Sequence, residues 1–201
     1  MRDTVSDSAE RDPSNGWEAI APSIIGNMSE STVGTEIIRA WTEAFPPGAT
    51  ILDLGCGPGT PRSKELMNGR FTVYAVDASP TMVNAYQRRF PEARVLCDPV
   101  EESSYFGETF DGVLSWGLMF LLPRETQRSL IHRVGKVVHA GGRFLFTAPS
   151  QVCSWADLST GELSVSLGRD AYISILGDAG FKLMAEYTDE GENHYYDAVR
   201  F

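Results

Sequence analysis

Ile51-Leu52-Asp53-Leu54-Gly55-Cys56-Gly57-Pro58-Gly59-Thr60-Pro61 is the stretch on which the reading of the chain turns. Ile51, Leu52 and Leu54 read as a short buried strand, and the glycines after them as a tight turn. With no side chain at Gly55, Gly57 or Gly59, backbone N–H groups can come close to a ligand. Thr60 is placed to cap the next helix and Pro61 to take its first position. A turn that binds nothing is the plainer alternative, and it weakens once the other strand ends are read.

Downstream, strand and helix patterns alternate. Arg62 to Asn68 reads as a short helix stopped by Gly69, and Phe71 to Asp77 as a second strand. Ser79-Pro80 starts a helix with Met82, Val83, Tyr86 and Phe90 on one side. Ala93 to Cys97, Phe110 to Trp116 and Arg143 to Ala148 read as further strands. A helix from Pro123 separates the last two, carrying Val138 inward and His132 and His139 outward, with Gly141-Gly142 as its stop. The alternation predicts an α/β fold, a doubly wound, Rossmann-like three-layer sandwich with right-handed crossovers. Residues 151–168 break the rhythm, and Trp155 to Leu158 with Leu163 to Leu167 predict a hairpin insertion. A helix over Arg169 to Asp178, a strand from Phe181 to near Thr188 and a last strand from His194 follow, the last two joined as a hairpin.

Upstream, residues 1–15 are polar and expected to be an unstructured tail. Residues 16–201 are expected to form one domain: a helical N-terminal lid over 16–47, a core over 48–150, and an insertion and terminal hairpin over 151–201. Within the lid, Trp17, Ile20, Ile24 and Ile25 precede a mobile turn region from Gly26 to Gly34. Ile37, Ile38, Trp41 and Phe45 then share one helical face. A helix that merely covers the sheet explains the same pattern.

Lys plus Arg number 17 against 27 Asp plus Glu, a formal net charge of −10. Such a surface disfavours nucleic acid, whose binding rests on phosphate neutralisation. The sequence shows no apolar run of membrane length and no apolar signal core, so a cytoplasmic address and no membrane partner are expected. Cys56, Cys97 and Cys153 are widely spaced and read as reduced thiols, and no Cys/His spacing suggests a metal site. A compact acidic domain, as monomer or homodimer, favours a small-molecule partner.

In an open α/β sheet, ligands lie outside the carboxyl ends of the strands. Those ends carry Asp53 with the glycines and Cys56, then Asp77-Ala78-Ser79, Asp98-Pro99-Val100-Glu101, and Ser115-Trp116-Gly117. An acid after the second strand suits a ribose diol, and one after the third an adenine amine. Singly, each acid reads as a cap or a solvated loop residue. A nicotinamide fingerprint wants G-x-G-x-x-G/A, but Thr60 stands where the third small residue should be, and the acid Asp53 precedes the glycines. A carboxylate there repels a pyrophosphate and welcomes a cationic ligand.

Asp53-Leu54-Gly55-Cys56-Gly57-Pro58-Gly59, Val76-Asp77-Ala78-Ser79, Phe110-Asp111-Gly112-Val113 and Gly141-Gly142-Arg143-Phe144 together resemble, in order and spacing, the class I S-adenosylmethionine-dependent methyltransferases. The resemblance covers roughly residues 48 to 150. It implies a seven-stranded sheet with the last strand antiparallel, and S-adenosylmethionine as cofactor. It also implies the glycine turn under the methionine portion, Asp77 on the ribose, and Asp98 with Val100 beside the adenine. Because Pro99 removes a backbone donor, Val100 or Glu101 is expected to take part of that last role. Ala78, Ser79 and Met82 complete the expected cofactor contacts.

Methyl transfer is then the expected reaction, to an oxygen, nitrogen or sulfur atom of a small organic molecule. Trp116 is a candidate for cation–π contact with the methyl group, or a plain pocket wall. His194, with Tyr195 beside it, is the candidate for proton transfer, because the turn into the last strand gathers polar and aromatic groups. Packing of those aromatics on the sheet is the alternative. Trp17, Met119, Trp155 and Tyr196 are the candidate substrate contacts, with Leu118 and Phe120 nearby. Two other functions compete: a cofactor-binding sensor without turnover, and an NAD(P)-dependent reductase.

Overall fold

The computed structural model describes residues 12–26 and 32–201. The expected tail over residues 1–11, and the part of the turn region over residues 27–31, lie outside the described residues. The central sheet is formed by β1 (Thr50–Leu54), β2 (Thr72–Asp77), β3 (Arg94–Cys97), β4 (Phe110–Ser115), β5 (Val138–Thr147), β8 (Phe181–Thr188) and β9 (His194–Arg200), in the spatial order β3-β2-β1-β4-β5-β9-β8. Neighbours from β3 to β5 pair in parallel, while β9 runs antiparallel to both β5 and β8. The chain winds outward one way from β1 and the other way from β4. The crevice outside their carboxyl ends is therefore the topological switch point. The insertion is a separate antiparallel hairpin of β6 (Val152–Ala156) and β7 (Leu163–Leu167), whose turn is held by Asp157 accepting from the Ser159 and Thr160 N–H groups at 2.9 Å.

Period-2 alternation sends side chains to two cores. Leu52, Leu54, Val113, Phe144, Phe146, Tyr196 and Ala198 face α5 (Arg124–Val137) and α6 (Arg169–Asp178), meeting Leu130, Ile131, Val134, Tyr172 and Leu176. Ile51, Val73, Leu114, Leu145 and Tyr195 face α2 (Thr35–Thr42) and α3 (Arg62–Asn68), meeting Ile38, Trp41 and Leu66. Each such burial is worth roughly 1.5–3 kcal/mol, against about 1 kcal/mol for a helix cap. The layers are therefore held by these two cores, and capping only sets where the helices begin.

Four local expectations are corrected. Thr60 does not cap α3: the helix starts at Arg62, Pro61 holds the cap position, and no side chain caps it. Likewise α5 starts one residue after Pro123. Gly141-Gly142 does not stop α5. The helix ends at Val137, Val138 pairs with Phe110 of β4, and His139 to Gly142 bulge out within β5 before pairing resumes at Arg143 with Gly112. His139 therefore lies on the strand, 3.2 Å from the Thr109 hydroxyl. A Cβ on Gly142 would stand 2.6 Å from the Asp111 carbonyl oxygen, so glycine serves here for close backbone approach. Finally, residues 12–15 form an ordered turn. Asp12 accepts from the Ser14 and Gly16 N–H groups, and the Ser14 hydroxyl accepts from the Glu18 N–H at 2.9 Å, which starts α1 (Trp17–Gly26).

The two readings of the N-terminal helices divide between them. α2 covers the sheet through Ile38 and Trp41, whereas α1 packs on α4 (Pro80–Arg89) and stands over the switch point.

Candidate functional site

The site begins with the backbone after β1. The Gly55 and Cys56 N–H groups both donate to the Val76 carbonyl, at 2.8 and 3.2 Å, which ties the turn to β2. The Gly57 N–H donates to Asp77 Oδ2 at 2.8 Å, and the Ser79 N–H to Asp77 Oδ1 at 2.9 Å. Asp77 is thus fixed between the glycine turn and the start of α4, where the Ser79 hydroxyl accepts from the Met82 N–H at 3.1 Å. Burial raises the Asp77 pKa, and the two backbone donors oppose that rise.

The glycines have different tasks. A Cβ on Gly55 would meet Leu118 at 3.1 Å, and one on Gly59 would meet Phe90 and Tyr86 at 2.7 and 2.8 Å, so both serve packing. A Cβ on Gly57 would meet nothing within 4 Å, and the same holds for Gly117 after β4. Both line a cavity of about 350 Å³ at the switch point. Gly57 also has φ +53°, a conformation that favours glycine.

That cavity has two ends. Toward β2 it is lined by Asp77, Ala78, Met82, Val100 and Glu101. Toward β1 and β4 it is lined by Asp53, Arg62, Trp116 and Gly117. Cys56 and Trp17 of α1 also line it. Asp53 is 3% exposed and accepts from the Ser63 hydroxyl at 2.5 Å. Burial raises its pKa to about 6, with Ser63 and the Arg62 charge opposing. The Arg62 guanidinium carbon lies 3.2 Å from the centroid of the Trp116 ring, so one face of that indole already holds a cation.

The remaining candidates lie elsewhere. Gly59, Ser79, Asp98 and Ser115 do not line the cavity. Gly59 and Ser79 support it as described, Asp98 donates its N–H to the Asp77 carbonyl at 3.1 Å, and Ser115 is fully buried. Met119 and Tyr196 are corrected as substrate contacts. Both are fully buried in the α5/α6 core, where Tyr196 stacks on Phe146 with centroids 4.8 Å apart. Tyr195, on the other sheet face, is also fully buried. Its hydroxyl donates to Asp189 Oδ2 at 2.7 Å and accepts from the Trp116 Nε1–H at 2.6 Å. Burial and the neighbouring Asp189 carboxylate push its pKa upward, which unfits it as a proton acceptor.

His194 and Trp155 line a second cavity of about 360 Å³, together with Phe120, Thr147, Gln151 and Asn193. There His194 Nε2 stands 3.0 Å from Glu186 Oε2, and Glu186 is gripped by Arg169, which lowers the Glu186 pKa. The Gly117 N–H donates to the Thr147 hydroxyl at 2.8 Å, so the loop after β4 lies between the two cavities.

The sequence reading missed Pro13, Ser14, Asn15 and Arg62, all of which line the first cavity. The turn composition Asp12-Pro13-Ser14-Asn15-Gly16 was a usable signal for the first three. Arg62 had none, since a basic residue after a proline reads as an exposed helix start.

Comparison with known proteins agrees with the fold. Residues 51–142 match a family described as a methyltransferase domain. A sarcosine/dimethylglycine N-methyltransferase from Aphanothece halophytica is 25% identical over 164 residues, covering 78% of this chain and 55% of that protein. The chain thus spans about half the length of that curated relative. A 1,6-didemethyltoxoflavin-N1-methyltransferase from Burkholderia thailandensis, solved with bound 1,6-didemethyltoxoflavin and S-adenosylhomocysteine, superposes with a TM-score of 0.70 at 19% identity, covering 92% of this chain and 84% of the other. An amino pentose methyltransferase from Micromonospora echinaspora with bound S-adenosylmethionine gives 0.70 at 17% identity, covering 91% and 96%.

Proposed function

We propose that the chain is a class I S-adenosylmethionine-dependent methyltransferase that moves a methyl group from S-adenosylmethionine to a nucleophilic atom of a small organic molecule, a reading supported by the match of residues 51–142 to a methyltransferase domain and by the likeness of the fold. The observation that carries the reading is Asp77, whose two oxygens each hold one backbone donor beside the bare Cα of Gly57. The open space at Gly57 and Gly117 fits a ligand lying directly on the backbone.

When bound, S-adenosylmethionine supplies a methyl carbon activated by its sulfonium. Each Asp77 oxygen keeps a lone pair for a ribose hydroxyl. Met82 and Val100 offer apolar walls to the adenine, and Glu101, which faces the cavity where Asp98 does not, takes the exocyclic amine. Trp116, Gly117 and Leu118 close the end from which an acceptor would come. Orientation is the chief contribution of such walls, and well-oriented reactants gain up to roughly 7–11 kcal/mol.

We assign the acceptor to the second cavity, across the loop after β4, with His194 as the proton acceptor and Phe120 and Trp155 as the aromatic wall. With Nε2 donating to Glu186, the other ring nitrogen keeps its lone pair for an acceptor proton. Nitrogen is the acceptor atom to test first, since two of the similar proteins are N-methyltransferases by name. Purified protein is incubated with S-adenosylmethionine and panels of small amines, alcohols and thiols, and products are read by mass spectrometry. Methylated amines are expected. Binding of the cofactor with no product from any panel would replace the enzyme by a binding module.

A further inference from the structure

The second cavity has a chemical bias of its own. Its aromatic wall is Phe120 with Trp155, ring centroids 5.4 Å apart. The polar side chains around it are left as hydrogen-bond acceptors. Asn193 spends its amide protons on Asp189, with Nδ2 3.0 Å from each carboxylate oxygen, so its own amide oxygen is what remains. His194 spends Nε2 on Glu186, while Nδ1 has no partner among the described residues and is not buried. The Glu192 carboxylate lines the same cavity, is exposed, and has no partner among the described residues. Among the described residues no Lys or Arg lines this cavity. Arg169, which stands behind His194, is committed. Its Nε lies 3.0 Å from both Glu186 oxygens, its Nη2 2.8 Å from one of them, and its Nη1 3.7 Å from Asp170. Among these groups four carboxylates, Glu186, Glu192, Asp189 and Asp170, stand against one guanidinium. Such a field draws cations and repels anions.

We propose that the second cavity selects a ring-bearing amine in its ammonium form and excludes molecules of like size that carry a carboxylate. Glu192 and Asn193 are the specificity-determining residues, and Trp155 seats the ring. This rests on the acceptor assignment above. An ammonium donates and never accepts, which matches the acceptors left over here, and a cation beside an indole face gains further. A ligand carboxylate meets Glu192 with no cation to pair it, so α-amino acids fall on the excluded side. Rejection of that kind supplies selectivity as much as attraction does. The turn between β8 and β9 places both residues. The Glu192 N–H donates to the Asp189 carbonyl at 3.0 Å, and Asp189 Oδ1 accepts from the Gly191 and Asn193 N–H groups at 2.9 Å. In that turn the left-handed position is held by Glu192, at φ +62°, and not by Gly191, where a Cβ would stand 2.8 Å from Val33. The turn thus keeps a carboxylate at the cavity edge where glycine is the easier residue.

Three ligands with one ring system and different charges test this by calorimetry, on the free protein and with S-adenosylhomocysteine added: tryptamine, a cation; tryptophol, its neutral counterpart; and indole-3-propionate, an anion. Tryptamine is expected to bind about tenfold more tightly than tryptophol, and indole-3-propionate more weakly than either. Glu192→Gln should bring tryptamine to within a few-fold of tryptophol and leave tryptophol itself unchanged, which shows that the variant is folded. Glu192→Lys should reverse the order of cation and anion. Trp155→Ala should weaken all three alike. Equal affinity for the three ligands, no binding of any, or an order that Glu192→Lys leaves intact overturns the selectivity. Methylation is read separately, by mass spectrometry after S-adenosylmethionine is added. The expected binding order with no methylated product from any ring-bearing amine supports the selectivity and overturns the acceptor assignment instead.

Discussion

The two ends of the site are built in opposite ways. The end toward β2 is made of backbone: the glycine turn, the Ser79 N–H, and one carboxylate that joins them. Its parts lie within 25 residues of sequence, between Gly55 and Ser79. The part toward β4 and the terminal hairpin is made of side chains from distant segments: Arg62 and Trp116 in the first cavity, Phe120, Trp155 and His194 in the second, and Tyr195 buried behind Trp116. Backbone geometry is dictated by glycine and strand order, so under the proposed function the first end would serve the cofactor whatever the substrate. Side-chain geometry is free to vary, so the second part is where that proposal puts acceptor choice.

The comparison can be broken from its variable end first. If His194 accepts the acceptor's proton, His194→Ala should lower kcat by about 10²–10⁴-fold and leave S-adenosylhomocysteine affinity unchanged, as read by single-turnover kinetics and calorimetry. Unchanged turnover would return His194 to a structural role beside Glu186. At the backbone end, Gly57→Val should lower S-adenosylhomocysteine affinity at least about tenfold, because its Cβ enters the open cavity. It should also cost about 1–2 kcal/mol of stability at its positive φ, measurable by denaturant titration. Unchanged affinity would mean that the turn does not meet the ligand.

Asp53 gives a smaller, pH-dependent effect. Its folded pKa of about 6 stands above the ordinary 3.8, with burial the main cause. The stability linked to that proton is complete below pH 4 and is lost as pH rises through 6. Asp53→Asn should therefore be more stable than wild type at pH 8, by up to roughly 3 kcal/mol, with the gain vanishing near pH 4. Thermal melts at both pH values check this, and a gain that grows toward pH 4 would contradict it. The smallest effect belongs to α1. Glu18 of α1 accepts from the Ser79 hydroxyl at 2.5 Å and the Thr81 N–H at 3.0 Å, latching α1 to the start of α4. Glu18→Gln should speed S-adenosylhomocysteine dissociation a few-fold in stopped-flow measurements, while an unchanged rate would make α1 a fixed wall.

Much of the fold was legible because it rests on periodicity. The apolar alternation from Ile51 to Phe146 and the short connections prescribe a parallel sheet, and the hairpin at Asp189 prescribes the antiparallel edge. The position of Asp77 at the end of β2, lining the first cavity, was legible because a strand end is a fixed place. Tyr195 and Tyr196 were not, since period 2 puts adjacent residues on opposite faces and both faces here are buried. His139 was misplaced because a helix-like apolar run continues into a strand, and only the close approach of Gly142 to Asp111 separates them. Arg62 was invisible because its meaning comes from Trp116, and nothing local announces a contact between such distant residues.

The most direct test is titration of S-adenosylhomocysteine into the folded wild-type protein and into Asp77→Ala. Saturable one-to-one binding, weakened at least about tenfold by the substitution, is expected from a carboxylate that meets the ribose. No binding to folded wild-type protein, or binding that Asp77→Ala leaves unchanged, would contradict the assignment of this cavity to the cofactor.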